Sequence, residues 1–332
     1  MSDANSTPIS MTRSPTAVLI VGECATMLWG IDQIERFRRA FARVGLSDVR
    51  CGPSGHESPE SAILVRSDAV LEQSLVAGLI KSPNTILATA TDSQNWMALA
   101  ANVPAAAIDR VVGLMGQHSL SGTESIPDGL SKATPVELAS SYNHALRKRA
   151  VPYALSLSTT PIRDIEWTMF HGSYKGVTDL VTKWVWPRPA FWVTRWCAGM
   201  GLTPNSVTAA SLILVLAAAV LFGDGLFLSG VVVAWAMTFL DTVDGKLARV
   251  TLASSKWGDV FDHGIDLLHP PLWYWAWWFP LSQLAGPMQM QVLTICLWVI
   301  IGGYIAGRLQ EGFFLWQFRL EIHAWRPIDS WF

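Results

Sequence analysis

Two kinds of hydrophobic patterning divide the chain. In the first half, short apolar runs alternate with stretches of helical spacing. Residues 17–21 (AVLIV) form an unbroken apolar run ending at Gly22, the pattern of a buried strand entering a turn. Residues 31–44 (IDQIERFRRAFARV) repeat apolar positions at helical intervals with charges opposite, and Gly45 follows as a stop signal. Residues 62–65 read as a strand, 69–80 as a helix and 85–88 as a further strand. This alternation predicts an α/β layer with some parallel pairing.

The second half is patterned differently. Residues 202–223 contain no charged side chain and are long enough for a membrane-spanning helix. Gly223-Asp224-Gly225 makes a tight turn, and residues 226–240 begin a second span. Residues 267–307 lack Asp, Glu, Lys and Arg, a length that at ~1.5 Å per residue allows two crossings. Residues 280–287 (PLSQLAGP) supply the expected break, so four spans are predicted.

Composition sharpens this division. Charged residues make up 15% of the 332-residue chain, against about a quarter in soluble domains. Of the 17 tryptophans, only Trp29 and Trp96 precede residue 166. A net charge of −2 with no basic surplus excludes a nucleic-acid binder, and the apolar content excludes a disordered chain. Cys24, Cys51, Cys197 and Cys296 have no CxxC spacing, which points to a reducing setting without structural zinc. Residues 1–15 read as a disordered tail without the features of a signal peptide. The organisation expected is therefore a tail (1–15), a soluble α/β domain (16–165), an amphipathic juxtamembrane linker (166–200) and a helical membrane domain (201–332).

Charge placement gives an orientation. Lys175, Lys183, Arg188 and Arg195 precede the first span. Lys246, Arg249 and Lys256 lie between the second and third, and Arg308, Arg319 and Arg326 follow the fourth. All fall on one side, which the positive-inside rule makes cytoplasmic, and the soluble domain lies there too. Residues 183–195 and 313–326 mix Trp and Phe with Arg, as interfacial helices or aromatic belts do. The four basic residues ahead of the first span suit either a phosphorylated acceptor or anionic lipid headgroups, and most of them are read as lipid contacts.

Four carboxylates interrupt the apolar half. Asp241 and Asp244 are spaced i,i+3 and share one helix face, while Asp262 and Asp266 are spaced i,i+4 at the start of the third span. With the two helices side by side, the acids converge near the membrane surface, where ionisable groups usually mark function. Oxygen-only ligands that repel one another suit Mg²⁺ or Mn²⁺. Gly245 and Gly258 allow close approach of backbone and ligand. His263 and His269 are read as packing or hydrogen-bonding residues rather than ligands.

The fixed residues Asp241, Asp244, Gly245, Ala248, Arg249, Gly258, Asp262 and Asp266 match the signature DxxDGxxARx(8)GxxxDxxxD at every position. The chain thereby resembles the CDP-alcohol phosphatidyltransferase family. The resemblance extends to Thr203-Pro-Asn-Ser-Val-Thr208, similar to the start of the family's first membrane helix. Lys175-Gly-Val-Thr-Asp179 is similar to the junction in members with a fused nucleotidyltransferase-like domain.

The resemblance implies a Mg²⁺- or Mn²⁺-dependent transfer with two ions. A phospho-alcohol group passes from a CDP-alcohol, CDP-diacylglycerol among the options, to a hydroxyl acceptor such as a polyol or polyol phosphate, with release of CMP. Asp241, Asp244 and Asp262 would hold the metals, and Asp266 would complete the acidic set and act as general base. Gly245, Ala248, Arg249, Gly258, Asn205 and Thr208 would shape the nucleotide pocket. The lipid bilayer is an implied partner, nucleic acid is not, and a homodimer is left open. Family members carry six membrane helices, whereas four are readable here, which implies a shortened membrane domain or helices beyond the given sequence. The rival readings are an intramembrane prenyltransferase, which would want two separated Asp-rich motifs without Gly-x-x-Ala-Arg, and a non-catalytic membrane scaffold derived from the family.

The first half resembles a nucleotidyltransferase domain in the order of its elements. Arg66-Ser67-Asp68 follows a strand where such enzymes hold a metal-binding aspartate, though an aspartate there is commonly a helix cap. The phosphate-cradling glycine loop is replaced by Gly22-Glu-Cys-Ala-Thr-Met27, with a carboxylate where phosphate would sit. A degenerate, non-catalytic domain is expected.

Overall fold

The computed structural model describes residues 15, 17–52, 59–122, 124, 126–140, 142–143, 148–176 and 179–319. The expected tail at 1–14 and the part of the aromatic–basic segment at 320–326 lie outside them. Two compact units emerge, one running through residue 143 with 149–168, the other comprising 148 and 169 onward.

The first unit is a mixed α/β sheet. Its strands are β1 (Ala17–Val21), β2 (Val49–Cys51), β3 (Ser61–Arg66), β4 (Ala69–Leu71), β5 (Thr85–Ala90), β6 (Asn95–Pro104), β7 (Leu120–Ser121) and β8 (Ser131–Ala133). The order in the main sheet is β2-β1-β3-β6-β5-β8, with β7 on β6. The β1–β2, β1–β3 and β5–β8 pairs are parallel, and β6 runs antiparallel to both its neighbours. Alternation along β1 explains its unbroken apolar run. Val18 and Ile20 pack with Phe37 and Phe41 of α1 (Gln33–Ala42) and Leu75 and Leu79 of α2 (Gln73–Lys81). Leu19 and Val21 face the other way, against Ile108, Val111 and Leu114 of α3 (Ile108–Met115). A strand covered on both faces needs apolar residues at every position. Asp32 caps α1 by accepting from the Glu35 amide at 2.8 Å, and a short α4 (Pro135–Leu138) follows β8.

Two expectations are corrected here. Residues 69–80 are not one helix: 69–71 form β4, paired antiparallel with Ala154–Ser156, and α2 begins only at Gln73. The apolar residues of 69–71 satisfied helical spacing, but a sheet edge contributed by a distant segment captured them. Asp68 consequently caps no helix. Its carboxylate forms a two-pronged ion pair with Arg66, Nε to Oδ1 at 2.8 Å and Nη2 to Oδ2 at 2.9 Å. The Ser156 hydroxyl donates to the same carboxylate. Burial alone would raise the Asp68 carboxyl, but the hydrogen bonds from Arg66, Ser156 and Ser158 and the charge of Arg66 outweigh it and hold it below the ordinary carboxylate range.

The second unit is helical. After α5 (Ile162–Gly172), in which the chain passes from one unit to the next, come α6 (Leu180–Trp184) and α7 (Pro187–Gly199). Ala190, Phe191, Thr194, Cys197 and Ala198 form the buried face of α7, while Arg188, Trp192, Arg195 and Trp196 are exposed. This is the amphipathic division expected of an interfacial helix. The long helices are α8 (Pro204–Gly223), α9 (Phe227–Val250), α10 (Lys256–Leu284) and α11 (Pro287–Phe318). Thr203 caps α8 by accepting from the Ser206 amide, and Ser255 caps α10 through the Gly258 amide. Gly230 lets α9 approach α8, because a Cβ there would lie 2.4 Å from the Phe222 ring.

Among the described residues, α8, α9 and α11 are long and apolar enough to cross a membrane. Only 6% of the apolar stretch of α11 is buried within the chain, so its side chains need an apolar surrounding. The third predicted span, α10, stands apart because its Pro, Trp and Tyr residues make it less apolar. The predicted break at 280–287 is narrower than expected. Helix α10 continues through Pro270, Pro271 and Pro280, and only Ala285 and Gly286 separate it from α11.

Candidate active site

The acids sit at one end of two helices. Asp241 and Asp244 occupy the second half of α9, and Asp262 and Asp266 the first half of α10. One carboxylate oxygen from each of Asp241, Asp244 and Asp262 lies within 4.8 Å of the others. Asp266 falls outside this group of three, one turn further along α10. Two like charges at such a separation repel by about 4 kcal/mol at an effective dielectric of 20, so the group calls for a counter-charge.

What brings the acids together is α8, rather than direct packing of the two acid-bearing helices along their length. Both α9 and α10 pack extensively on α8. Thr208 of α8 donates its hydroxyl to Asp244 Oδ2 at 2.6 Å, and Asp244 is 4% exposed. Asn205, one turn earlier, places its amide oxygen 2.8 Å from where a Cβ on Gly258 would stand. A side chain at Gly258 would therefore push α10 off α8. Thr208 and Asn205, expected in the nucleotide pocket, thus hold an acid and an acid-bearing helix in register.

On α9 the Arg249 guanidinium folds back over Gly245, with Nη2 3.1 Å from a Cβ built there. Ala248 lies half-buried in the same turn. The histidines are engaged with their own helix. His263 Nδ1 is 2.7 Å from the Asp259 carbonyl, and His269 Nδ1 is 3.0 Å from that of Ile265. Neither joins the carboxylate group, in line with the expectation that they pack and hydrogen-bond.

One supporting residue carried no sequence signal. Pro270 and Pro271 lack amide hydrogens, so the carbonyls four residues earlier, on Asp266 and Leu267, lose their helical donors. The Tyr304 hydroxyl of α11 donates to these carbonyls, at 3.3 Å to Asp266 and 3.0 Å to Leu267. A membrane-depth helix accommodates proline when a neighbour re-satisfies the freed groups. The paired prolines announced two orphan carbonyls in the sequence, but not which helix would supply the donor.

Residues 201–320 match the sequence model of the family described as CDP-alcohol phosphatidyltransferase. This segment is a CDP-alcohol phosphatidyltransferase domain. Among curated proteins, no match to the chain is found. The matched segment contains α8 to α11 and every residue of the acid cluster. Such transferases use a divalent metal, and the all-oxygen donor set of Asp241, Asp244 and Asp262 fits a hard divalent cation. In the transferase domain, then, the family's chemistry and the clustered carboxylates fall on the same turns of helix.

Proposed function

We propose that the domain transfers a phospho-alcohol group from a CDP-alcohol to an acceptor hydroxyl and releases CMP. The observation that carries this reading is the convergence of Asp241, Asp244 and Asp262 within 4.8 Å, held by α8. Those three side chains, with Asp266 beside them, are assigned to two Mg²⁺ or Mn²⁺ ions. Bound there, the ions supply charge neutralisation for the diphosphate and the departing CMP.

Asp266 accepts the acceptor's hydroxyl proton. The freed oxygen attacks the phosphorus that bears the donor's alcohol, a new P–O bond forms, and the bond to the CMP oxygen breaks in line. Arg249 offers its planar fork to a phosphate oxygen. Tyr304 acts on Asp266 through the backbone it holds. Tyr304→Phe is expected to lower turnover about fivefold, the value of one net hydrogen bond, with metal-dependent nucleotide affinity unchanged. Equal losses in turnover and nucleotide affinity would show general unfolding of the site instead.

Placement of the site and the first unit on the cytoplasmic side is supported by Lys and Arg residues gathered at that end of the helices. The first unit is assigned as a nucleotidyltransferase-like domain without catalysis, supported by the Arg66–Asp68 pair that occupies its candidate metal ligand. A calorimetric titration tests the reading without turnover. CDP is expected to bind the purified protein with Mg²⁺ or Mn²⁺ and to lose affinity in EDTA and in Asp262→Asn. Binding equally strong in EDTA would contradict the assignment.

A further inference from the structure

A cleft of about 540 Å³ lies among the long helices, at the end away from the acids. Its walls are α9 between Val231 and Thr238, α10 between Trp273 and Leu281, and α11 between Leu293 and Ile300. The acids occupy the other halves of α9 and α10. Trp278 lies twelve residues beyond Asp266 on α10, about 18 Å of helix. Gly225, in the turn from α8 to α9, stands beside Pro280 of α10, where a Cβ would be 3.6 Å from the proline ring. The cleft therefore opens in the half of the bilayer remote from the acids. Phe222 of α8 also lines it, its ring centre 5.9 Å from that of Trp273 and 5.3 Å from that of Trp277. Helix α11 packs chiefly on α10, so the gap between α9 and α11 is left for something else to fill.

The polar groups of this wall differ in how they are used. The Trp273 indole N–H donates to the Val215 carbonyl at 3.0 Å, and the Thr238 hydroxyl to the Trp235 carbonyl at 2.9 Å. The Trp278 indole N–H is buried and has no acceptor among the described residues. A space walled by carbon stays dry, so water does not satisfy that donor. At membrane depth the available filler is an alkyl chain. Trp275, Trp277 and Trp278 lie near the end of α10, where aromatic residues mark the edge of the hydrocarbon. The acceptor that bilayer lipids offer at that edge is the ester carbonyl of a glycerolipid.

We propose that the cleft holds one chain of a glycerophospholipid from the leaflet remote from the acids, with the ester carbonyl of that chain accepting from the Trp278 N–H. This lipid is neither donor nor acceptor in the transfer. A CDP-linked lipid held through its diphosphate at the acids keeps its ester groups a few bonds away, at the opposite end of the helices from Trp278. The resident chain bridges α9 and α11 and so fixes α11, whose Tyr304 lies one turn beyond Ile300.

The test is native mass spectrometry of the delipidated full chain in maltoside detergent, titrated with dioleoylphosphatidylcholine and with its ether-linked analogue, which lacks the carbonyls. The ester lipid is expected to fill one saturable site, and the ether lipid to bind about fivefold more weakly, the value of one net hydrogen bond. Trp278→Phe keeps a ring in the wall and is expected to bind both lipids alike, at the weaker level. Cys296→Trp, at an exposed position lining the cleft, is expected to exclude the lipid, whereas Cys296→Ser binds as wild type does. Helical circular dichroism and elution as a single species check folding; should Cys296→Trp fail that check, the ester–ether comparison in Trp278→Phe decides alone. No saturable site would overturn the proposal, as would equal affinity for ester and ether lipids in wild type, an ester preference that survives Trp278→Phe, or a lipid retained by folded Cys296→Trp. Displacement by CDP-diacylglycerol that requires Mg²⁺ would assign the cleft to the donor's chains and overturn it too.

Discussion

Asp244→Asn is expected to abolish measurable transfer while making the metal-free protein more stable. Asparagine keeps the size of the side chain and an oxygen to accept from Thr208, so the α8–α9 contact at 2.6 Å survives. What disappears is one negative charge from a group whose ligand oxygens lie within 4.8 Å of one another. Without metal this relieves repulsion of about 4 kcal/mol per pair before solvent and relaxation reduce it, so the thermal midpoint in EDTA should rise. With metal the same loss should cut CMP release about a thousandfold, since ~4 kcal/mol of transition-state stabilisation is three powers of ten in rate. The stabilising effect of added Mg²⁺ should shrink in parallel. Opposite signs for stability in EDTA and activity with Mg²⁺ identify a functional acid site. A variant that loses both would show the acids to be structural.

The second large effect belongs to the α/β unit. Arg66→Met is expected to destabilise it by about 3 kcal/mol, the low end of the range for removing one partner of a buried ion pair. The paired side chains are only 7% and 13% exposed, and Arg66 also donates to the Gln117 carbonyl. Methionine fills the space of the stem but leaves Asp68 without its main counter-charge. The sign with pH follows from linkage. The folded-state pKa of Asp68 lies below its unfolded value, so its contribution is present above the ordinary carboxylate range and lost as pH falls through the lower folded value. In Arg66→Met the carboxyl can take a proton on acidification, so the deficit relative to wild type should narrow as pH drops below about 4. Hydrogen exchange of β1 and β3 amides in the intact protein reads this directly. A deficit that stays constant between neutral and acidic pH would mean that the pair is not what holds this part of the sheet.

Much of this architecture was written in local patterns. The buried strands β1, β3 and β5 and the helix α1 follow from apolar runs and spacing because each is a self-contained element with its own boundary signals. Strand β6 was not foreseen: its sequence NWMALAANVP has no alternation, since both faces are buried and small residues fill most positions. Strand β4 was hidden for a related reason, its conformation being set by a segment more than eighty residues away. The four acids were visible as chemistry, because carboxylates at fixed spacing in an apolar chain have few structural uses. Asn205 and Thr208 were named through the resemblance, but for the nucleotide pocket, and the supporting contacts themselves were not visible. Thr208, Asn205 and Tyr304 act across helices, and nothing in local spacing says which hydroxyl meets which carboxylate or which phenol meets which proline-freed carbonyl. Lys246 was read as a cytoplasmic-side charge between the second and third spans, whereas it lies within α9, buried against Tyr174.

Family match, acid cluster and supporting helix all converge on one claim, that this membrane domain splits a CDP-alcohol at its diphosphate. Metal-dependent release of CMP tests it most directly. The purified full chain in detergent, with Mg²⁺ or Mn²⁺, would be given CDP-linked lipid and polyol donors together with neutral and phosphorylated polyol acceptors, and CMP would be quantified over time. The account predicts CMP in step with phosphodiester product for at least one pair, abolished by EDTA and by Asp244→Asn. No CMP from any pair, or CMP release that is indifferent to EDTA and to Asp244→Asn, would contradict it.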